Sequence, residues 1–301
     1  MPEHPSKLIP IALVGPYGRT GSTAVMHLLA TSPHVAMERV YPFEYRYLTY
    51  LIHWTRLLQQ SCQPAREWNF DLMQSQSRLE VIGPVPYEDS CLAKPVPGTV
   101  PLPQRCLRTL WPVLASHFRA TLLPASMSAS ARYYAEKMPH WAYAFLRETL
   151  SDTRGIFTLR DPRDVYLSGL AFDRKRGYVA FGPAQDPSTE EAEAYLRGFV
   201  QSSLERLRRV RQAQLCDKEF VLHYEKWVTD YHTESSKLAD WLGLQLDPEA
   251  VFGHSEVLQI HGTSPSPTAS VYRWKRELPP EINRFFVEQL GEELAALGYE
   301  V

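Results

Sequence analysis

The chain is 301 residues long, with 44% hydrophobic and 22% charged residues, a balance that excludes a disordered chain and fits one or two globular domains. Its 32 Lys+Arg against 34 Asp+Glu leave a formal charge of −2, which argues against a nucleic-acid partner. No apolar run approaches the roughly 18 residues of a membrane span, and the short segment ahead of the first strand predicts no secretory leader, so a cytoplasmic location is expected. Cys62, Cys91, Cys106 and Cys216 are scattered without a CxxC pair, which predicts reduced thiols and no zinc site.

Residues 8–14 (LIPIALV) form a nearly continuous apolar run closing on Gly15, the pattern of a buried parallel strand. The stretch GPYGRTGST follows, and Ala24, Val25, Leu28 and Leu29 then fall on one face of a helix. Residues 35–37 read as a very short strand. From 41 to 130 the chain is dense in aromatics and prolines, offers no clean strand, and predicts a helical insertion. Within it Pro84, Pro86, Pro95, Pro97, Pro101 and Pro103 forbid a regular helix or central strand over 83–103, leaving a long loop that is either a lid or a passive connection. Residues 132–138, 155–159 and 219–224 read as further strands. Residues 189–212 repeat apolar side chains at helical spacing and end in Arg206, Arg208, Arg209 and Arg211, which suit a helix C-terminus and read as a solvated face. Strands alternating with helices predict an α/β fold: a parallel β-sheet flanked by helices, with residues 1–301 as one domain.

Two stretches carry chemistry. In GPYGRTGST, Gly15, Gly18 and Gly21 permit a tight turn into a helix whose first N–H groups can face an anion; Arg19, Thr20, Ser22 and Thr23 add donors. The Walker pattern GxxxxGK[ST] is absent, because Thr20 stands where its glycine would be and Ser22 follows Gly21. An ordinary magnesium-dependent kinase or ATPase is disfavoured. In IFTLRDPRDVYLSGLAF, Asp161 and Pro162 suit a helix start, and Asp164 is placed to complete a capping box. Capping does not account for Arg160 at the strand's carboxyl end, or for Ser168 about two turns into the helix. Ligands of doubly wound sheets sit at that edge, so this pair could hold a second phosphate.

Together, GRTGST and RDPRDVYLS resemble the nucleotide-binding signature of the PAPS-dependent sulfotransferases, in order and in separation. AEKMP (135–139) is similar to that family's EK-(S/T)-P or NK-D-P element, HYEKWVTD (223–230) to its YEDL segment, and SVYRWKREL (270–278) to its late basic segment. The resemblance runs from Ile11 to about Leu278. Arg19 stands where steroid and phenol enzymes carry lysine, and Ala24 where they carry an adenine-stacking tryptophan.

The resemblance implies a P-loop-like sulfotransferase fold and an enzyme that moves a sulfuryl group from PAPS to an acceptor hydroxyl, releasing PAP without a metal. It implies that Arg19, Thr20, Gly21, Ser22 and Thr23 bind the 5′-phosphosulfate, that Arg160, Ser168, Arg273 and Lys275 surround the 3′-phosphate, and that Tyr224 lies near the adenine. Lys137 would assist transfer. Glu38 is the first candidate for the base, with Glu44 second and His53, His117 and His140 behind them. The acceptor is expected to be a small molecule, a lipid or a sugar, its pocket shaped by 41–130. A homodimer is left open. A P-loop kinase-like enzyme and a non-catalytic nucleotide-binding protein are the competing readings.

Overall fold

The computed structural model describes residues 8–15, 18–57, 98–123, 130–184, 187–213, 216–253, 260 and 262–301. Five parallel strands form one sheet: β1 (Ile9–Val14), β2 (Val35–Ala36), β3 (Tyr133–Lys137), β4 (Arg154–Leu159) and β5 (Glu219–His223). Their order is β2-β3-β1-β4-β5, so the chain passes from β1 to the edge strand β2, returns to β3 between them, and then crosses to β4 and β5 on the other side. The register pairs Leu13 with Lys137 and Val14 with Phe157, which brings the carboxyl ends of β3, β1 and β4 level. Such a reversal opens a crevice at that edge, between β1 and β4.

Alternation along the strands feeds two cores. Ala12, Val14, Tyr134, Phe157 and Leu159 pack with α2 (Tyr47–Leu57), α3 (Leu102–Thr121), α4 (His140–Thr149), α6 (Thr189–Ala213) and α11 (Pro280–Ala296). Ile11, Leu13, Ala135, Ile156 and Leu222 pack with α1 (Ser22–Ala30), α7 (Tyr224–Thr229), α8 (Tyr231–Leu242) and α9 (Glu249–Phe252). Strands buried on both faces read as unbroken apolar runs, which is why 8–14 and 155–159 were legible. The α/β expectation holds, and the long helix spans Thr189–Ala213, as its periodicity indicates.

The insertion is helical where it is described. Pro103 lies in the first turn of α3, where a missing N–H breaks no bond, so the irregular stretch ends sooner than its prolines suggest. Pro101 stands at the cap of α3, and Pro84, Pro86, Pro95 and Pro97, together with Cys62 and Cys91, lie outside the described residues. The arginines closing α6 are tied down: Arg208 and Arg211 both reach Glu293 of α11, and Arg209 pairs with Glu205 one turn away. Among the described residues no helix is long and apolar enough to cross a membrane.

Candidate active site

The loop after β1 enters α1 through Gly21, whose φ of 86° is left-handed backbone that glycine adopts without cost. A Cβ at Gly21 would stand 2.5 Å from Cδ2 of Tyr224, so the ring and the loop fit only around a glycine. The helix has no side-chain cap and no acidic residue in its first turn, which leaves its N–H groups and dipole available to an anion. Thr20 is buried and shares a 2.7 Å hydrogen bond with Thr158 of β4, clamping the loop across the crevice.

Arg19 and Arg160 meet above this edge. Arg160 donates to the carbonyl of Arg19 at 2.9 Å and to that of Ser270 at 2.6 Å, and its guanidinium lies 4.7 Å over the Tyr224 ring. Its Nε is buried without a hydrogen-bond partner. Burial, then the charge of Arg160, bring the Arg19 guanidinium down to about 10. Two cations held this close with little water between them favour an anion placed beside both. From Arg19 a polar chain continues: its Nε donates to Ser168 Oγ at 3.2 Å, Ser168 and Thr263 share a 3.1 Å bond, and Arg273 Nη1 donates to Thr263 Oγ1 at 3.5 Å. Tyr224 and Ser270 share a 3.0 Å bond between their hydroxyls, closing the other side.

Arg160 and Ser168 owe their placement to the helix α5 (Pro162–Arg176). Asp161 caps it, accepting from the N–H of Arg163 at 2.9 Å. The capping box does not form. Glu225 takes the N–H of Asp161 at 2.7 Å, and Asp164 instead accepts from the N–H of Trp274 at 2.9 Å, fixing the start of α10 (Trp274–Glu277). Arg163 is fully buried, forked onto Asp161 and stacked 3.5 Å from the Trp274 ring. Glu225 also accepts from Tyr299 at 3.1 Å, and burial drives its carboxyl up to about 7.

On the far side of the loop, Lys137 at the end of β3 donates to Thr23 Oγ1 at 2.9 Å and forms an ion pair with Glu44. The two side chains are only 14% and 21% exposed, so this pair is largely shielded from water. Burial draws the Lys137 ammonium down, while Glu44 pulls the other way. Burial works to raise Glu44, but the hydrogen bond and charge of Lys137 outweigh it and hold the carboxylate below its usual range. The neighbouring Glu136 explains why Glu44 arrives here. Its carboxylate is fully buried and accepts from the N–H groups of Leu48 at 2.9 Å and Thr49 at 2.8 Å, and from the Tyr134 hydroxyl at 2.7 Å. These bonds moor the N-terminus of α2, a favourable place for a negative charge, and set the preceding residues beside Lys137.

Of the sequence candidates, Arg19, Thr20, Gly21, Thr23, Arg160, Ser168, Tyr224 and Arg273 are joined by the contacts above, Ser22 opens α1, and Lys137 joins through Thr23. Glu38 is set apart. Its carboxylate accepts from its neighbours' N–H groups, Arg39 at 2.8 Å and Val40 at 2.8 Å, and a hydrogen bond from Tyr45 is the main reason it sits below the usual carboxylate range. Lys275 is also apart, its exposed side chain paired with Glu300. His53 packs on the Trp141 ring, His117 is exposed on α3, and His140 lines a cavity of about 530 Å³ between α4 and α6. Thr158 and Thr263 carried no signal of their own in the sequence, and Glu136 and Ser270 were visible only as members of AEKMP and SVYRWKREL, because the role of all four exists only once distant segments meet. No group of acids, histidines and cysteines suited to a metal occurs among the described residues.

Residues 10–248 match the profile of the sulfotransferase family. Among solved structures the chain is similar to the sulfotransferase domain from the Synechococcus PCC 7002 olefin synthase, at 16% identity and a TM-score of 0.51, over 100% of this chain and 98% of that one. It is likewise similar to the sulfotransferase domain from the curacin biosynthetic pathway, at 13% identity and a TM-score of 0.51, over 98% and 100% of the two chains. At these identities the likeness is one of fold. No sequence among the curated proteins matches.

Proposed function

The chain belongs to the sulfotransferase family, and from that premise we propose that it moves a sulfuryl group from PAPS to a hydroxyl of a small acceptor and releases PAP, with no metal taking part. The observation that carries this reading is the pairing of Arg19 with Arg160 at the strand edge, Arg160 keeping a buried Nε without a partner. A buried donor without an acceptor is costly, and a phosphate oxygen is the natural complement of a guanidinium fork.

Bound there, PAPS supplies an activated sulfuryl group and leaves with added charge on its 5′-phosphate. Arg19, Ser22, Thr23 and the first N–H groups of α1 are the donors suited to that end of the nucleotide. They are fixed in place beforehand by the Thr20–Thr158 clamp, so little reorganisation is needed as charge develops. Arg160, Ser168 and Arg273 are the set for the 3′-phosphate, and Tyr224 offers a ring face in place of the missing tryptophan. Lys137 shifts its ammonium from Glu44 towards the sulfuryl oxygens. That exchange frees the Glu44 carboxylate and makes it more basic, ready to take the acceptor's hydroxyl proton. Glu44 therefore replaces Glu38 as the base.

Calorimetric titration with PAP in EDTA, beside ADP with magnesium, tests the reading. Tight metal-free binding of PAP alone is expected. Binding of magnesium–ADP alone would overturn it in favour of a kinase-like enzyme.

A further inference from the structure

Arg273 is the member of the nucleotide set that is committed to a carboxylate. Arg160 gives N–H groups to two backbone carbonyls, and Arg19 gives its Nε to a hydroxyl. Arg273 instead forks onto Glu277, four residues further on at the end of α10. Its Nε donates to the two carboxylate oxygens at 3.0 and 3.1 Å, and its Nη2 to Oε2 at 2.6 Å. Nε and Nη2 form an edge of the guanidinium that an oxyanion takes with two parallel bonds. The remaining nitrogen, Nη1, donates to Thr263 Oγ1 at 3.5 Å, and Thr263 leads through Ser168 to Arg19.

The two partners differ in how far they are enclosed. The Arg273 side chain is 8% exposed and the Glu277 side chain 41%, so the carboxylate is the partner that can turn to water. Other cations stand near it. The hydrogen bond from Arg273 is the main reason the Glu277 carboxyl sits below its usual range, and the charges of Arg276 on α10 and Arg174 on α5 add to it. Both arginines are exposed. A carboxylate that leaves Arg273 therefore stays ionised and within reach of their charge.

We propose that Glu277 competes with the nucleotide's 3′-phosphate for the Nε–Nη2 edge of Arg273 and thereby sets how tightly PAP is held. This rests on the sulfuryl-transfer reading, which gives Arg273 to that phosphate, and adds the residue that limits its grip. One guanidinium edge cannot serve a carboxylate and a phosphate with the same bonds. Arg273 is competent for phosphate only while Glu277 is turned away, and the apparent affinity falls by that fraction. The carboxylate also sets a negative charge beside the phosphate. Both effects have one sign, so removing the charge of Glu277 tightens PAP. A residue that merely oriented Arg273 would act the other way, because its loss would loosen the guanidinium. For an enzyme that must shed PAP after each turnover, a built-in competitor shortens the stay of the product.

The test is calorimetric titration of the full chain with PAP and with adenosine 5′-monophosphate, which is PAP without its 3′-phosphate, beside a melting curve for each variant. Glu277→Gln should bind PAP about three- to tenfold more tightly than wild type, the range open to one partly exposed ion pair. Its affinity for adenosine 5′-monophosphate should stay within about twofold, since the contested phosphate is missing. Glu277→Ala removes the acceptor as well as the charge and should gain at least as much. Arg273→Ala should weaken PAP, and in that background Glu277→Gln should change PAP affinity by less than about twofold. Weaker or unchanged PAP binding in both Glu277 variants would overturn the proposal. So would a gain that persists without Arg273, an equal gain for adenosine 5′-monophosphate, or unchanged PAP affinity in Arg273→Ala. Failure of wild type to bind PAP would instead overturn the sulfuryl-transfer reading, and this proposal with it.

Discussion

Glu44→Gln separates the proposed base from everything else at the site. The substitution keeps side-chain volume and an oxygen that can accept from Lys137, so it removes only charge and basicity. Glu44 touches Lys137 and Arg46 and none of the residues assigned to the nucleotide, so the affinity for PAP should stay within about twofold. With both partners less than a quarter exposed, loss of the ionic part of one hydrogen bond should cost about 1 kcal/mol of stability. Turnover should fall by about 10²–10⁴-fold, the usual contribution of a general base. The assay is PAP release from PAPS with the best acceptor of a panel of hydroxyl compounds, read beside calorimetric PAP binding and a melting curve. Glu38→Gln is the companion variant and should turn over within about twofold of wild type, since its carboxylate serves its own backbone. The pH profile adds a second readout. Because Lys137 holds Glu44 below the usual range, the acidic limb of kcat/KM should lie below about 4.5, and it should vanish in Glu44→Gln. Wild-type turnover in Glu44→Gln, or collapse in Glu38→Gln alone, would refute the assignment.

Arg160→Ala should lose about 10²-fold in PAP affinity, from about 1.5–3 kcal/mol for a charge-assisted bond, and with it most of the PAP-induced rise in melting temperature; thermal-shift titration reads both. Gly21→Ala forces a left-handed backbone onto alanine, at about 1–2 kcal/mol, and drives its Cβ into Tyr224, so both denaturant stability and PAP binding should fall. Glu225→Gln tests the buried carboxyl whose folded pKa is raised to about 7. The folded state there holds its proton more tightly than the unfolded chain does. The stability it lends is therefore full below about 4.3 and is lost as pH rises through about 7, an order of 3 kcal/mol by pH 8. Glutamine cannot ionise, so the melting temperature of Glu225→Gln should match wild type below about pH 4 and exceed it at pH 8.

What could be read from the sequence follows the range of the interactions. The strand runs were legible because two-sided burial demands unbroken apolar residues, and the loop after β1 because a tight turn into a helix needs glycine at a position such as Gly21. The start of α5 was legible through Asp161 and Pro162, whose roles are local. Asp164 shows where that logic stops. Its position fits a capping box, but two segments that arrive from far along the chain, Glu225 and Trp274, supply a better acceptor for Asp161 and a better donor for Asp164. Local pairings hold only until tertiary partners compete for the same atoms.

The choice between Glu38 and Glu44 has the same origin. Both lie between the short strand β2 and α2, and nothing in their immediate surroundings ranks them. Glu136 decides. A fully buried carboxylate pointing off β3 is expensive unless it is well bonded, and the free N–H groups of Leu48 and Thr49 satisfy it while anchoring one end of α2. Burial still pushes that carboxyl upward, which is the cost of using a charge as an anchor. Because Glu136 and Lys137 are adjacent in a strand, their side chains leave opposite faces at nearly the same height. One fixes α2 from beneath while the other meets the residue that α2 delivers. A sequence can show the EK pair, but its meaning depends on which helix the glutamate captures, and only the folded chain supplies that.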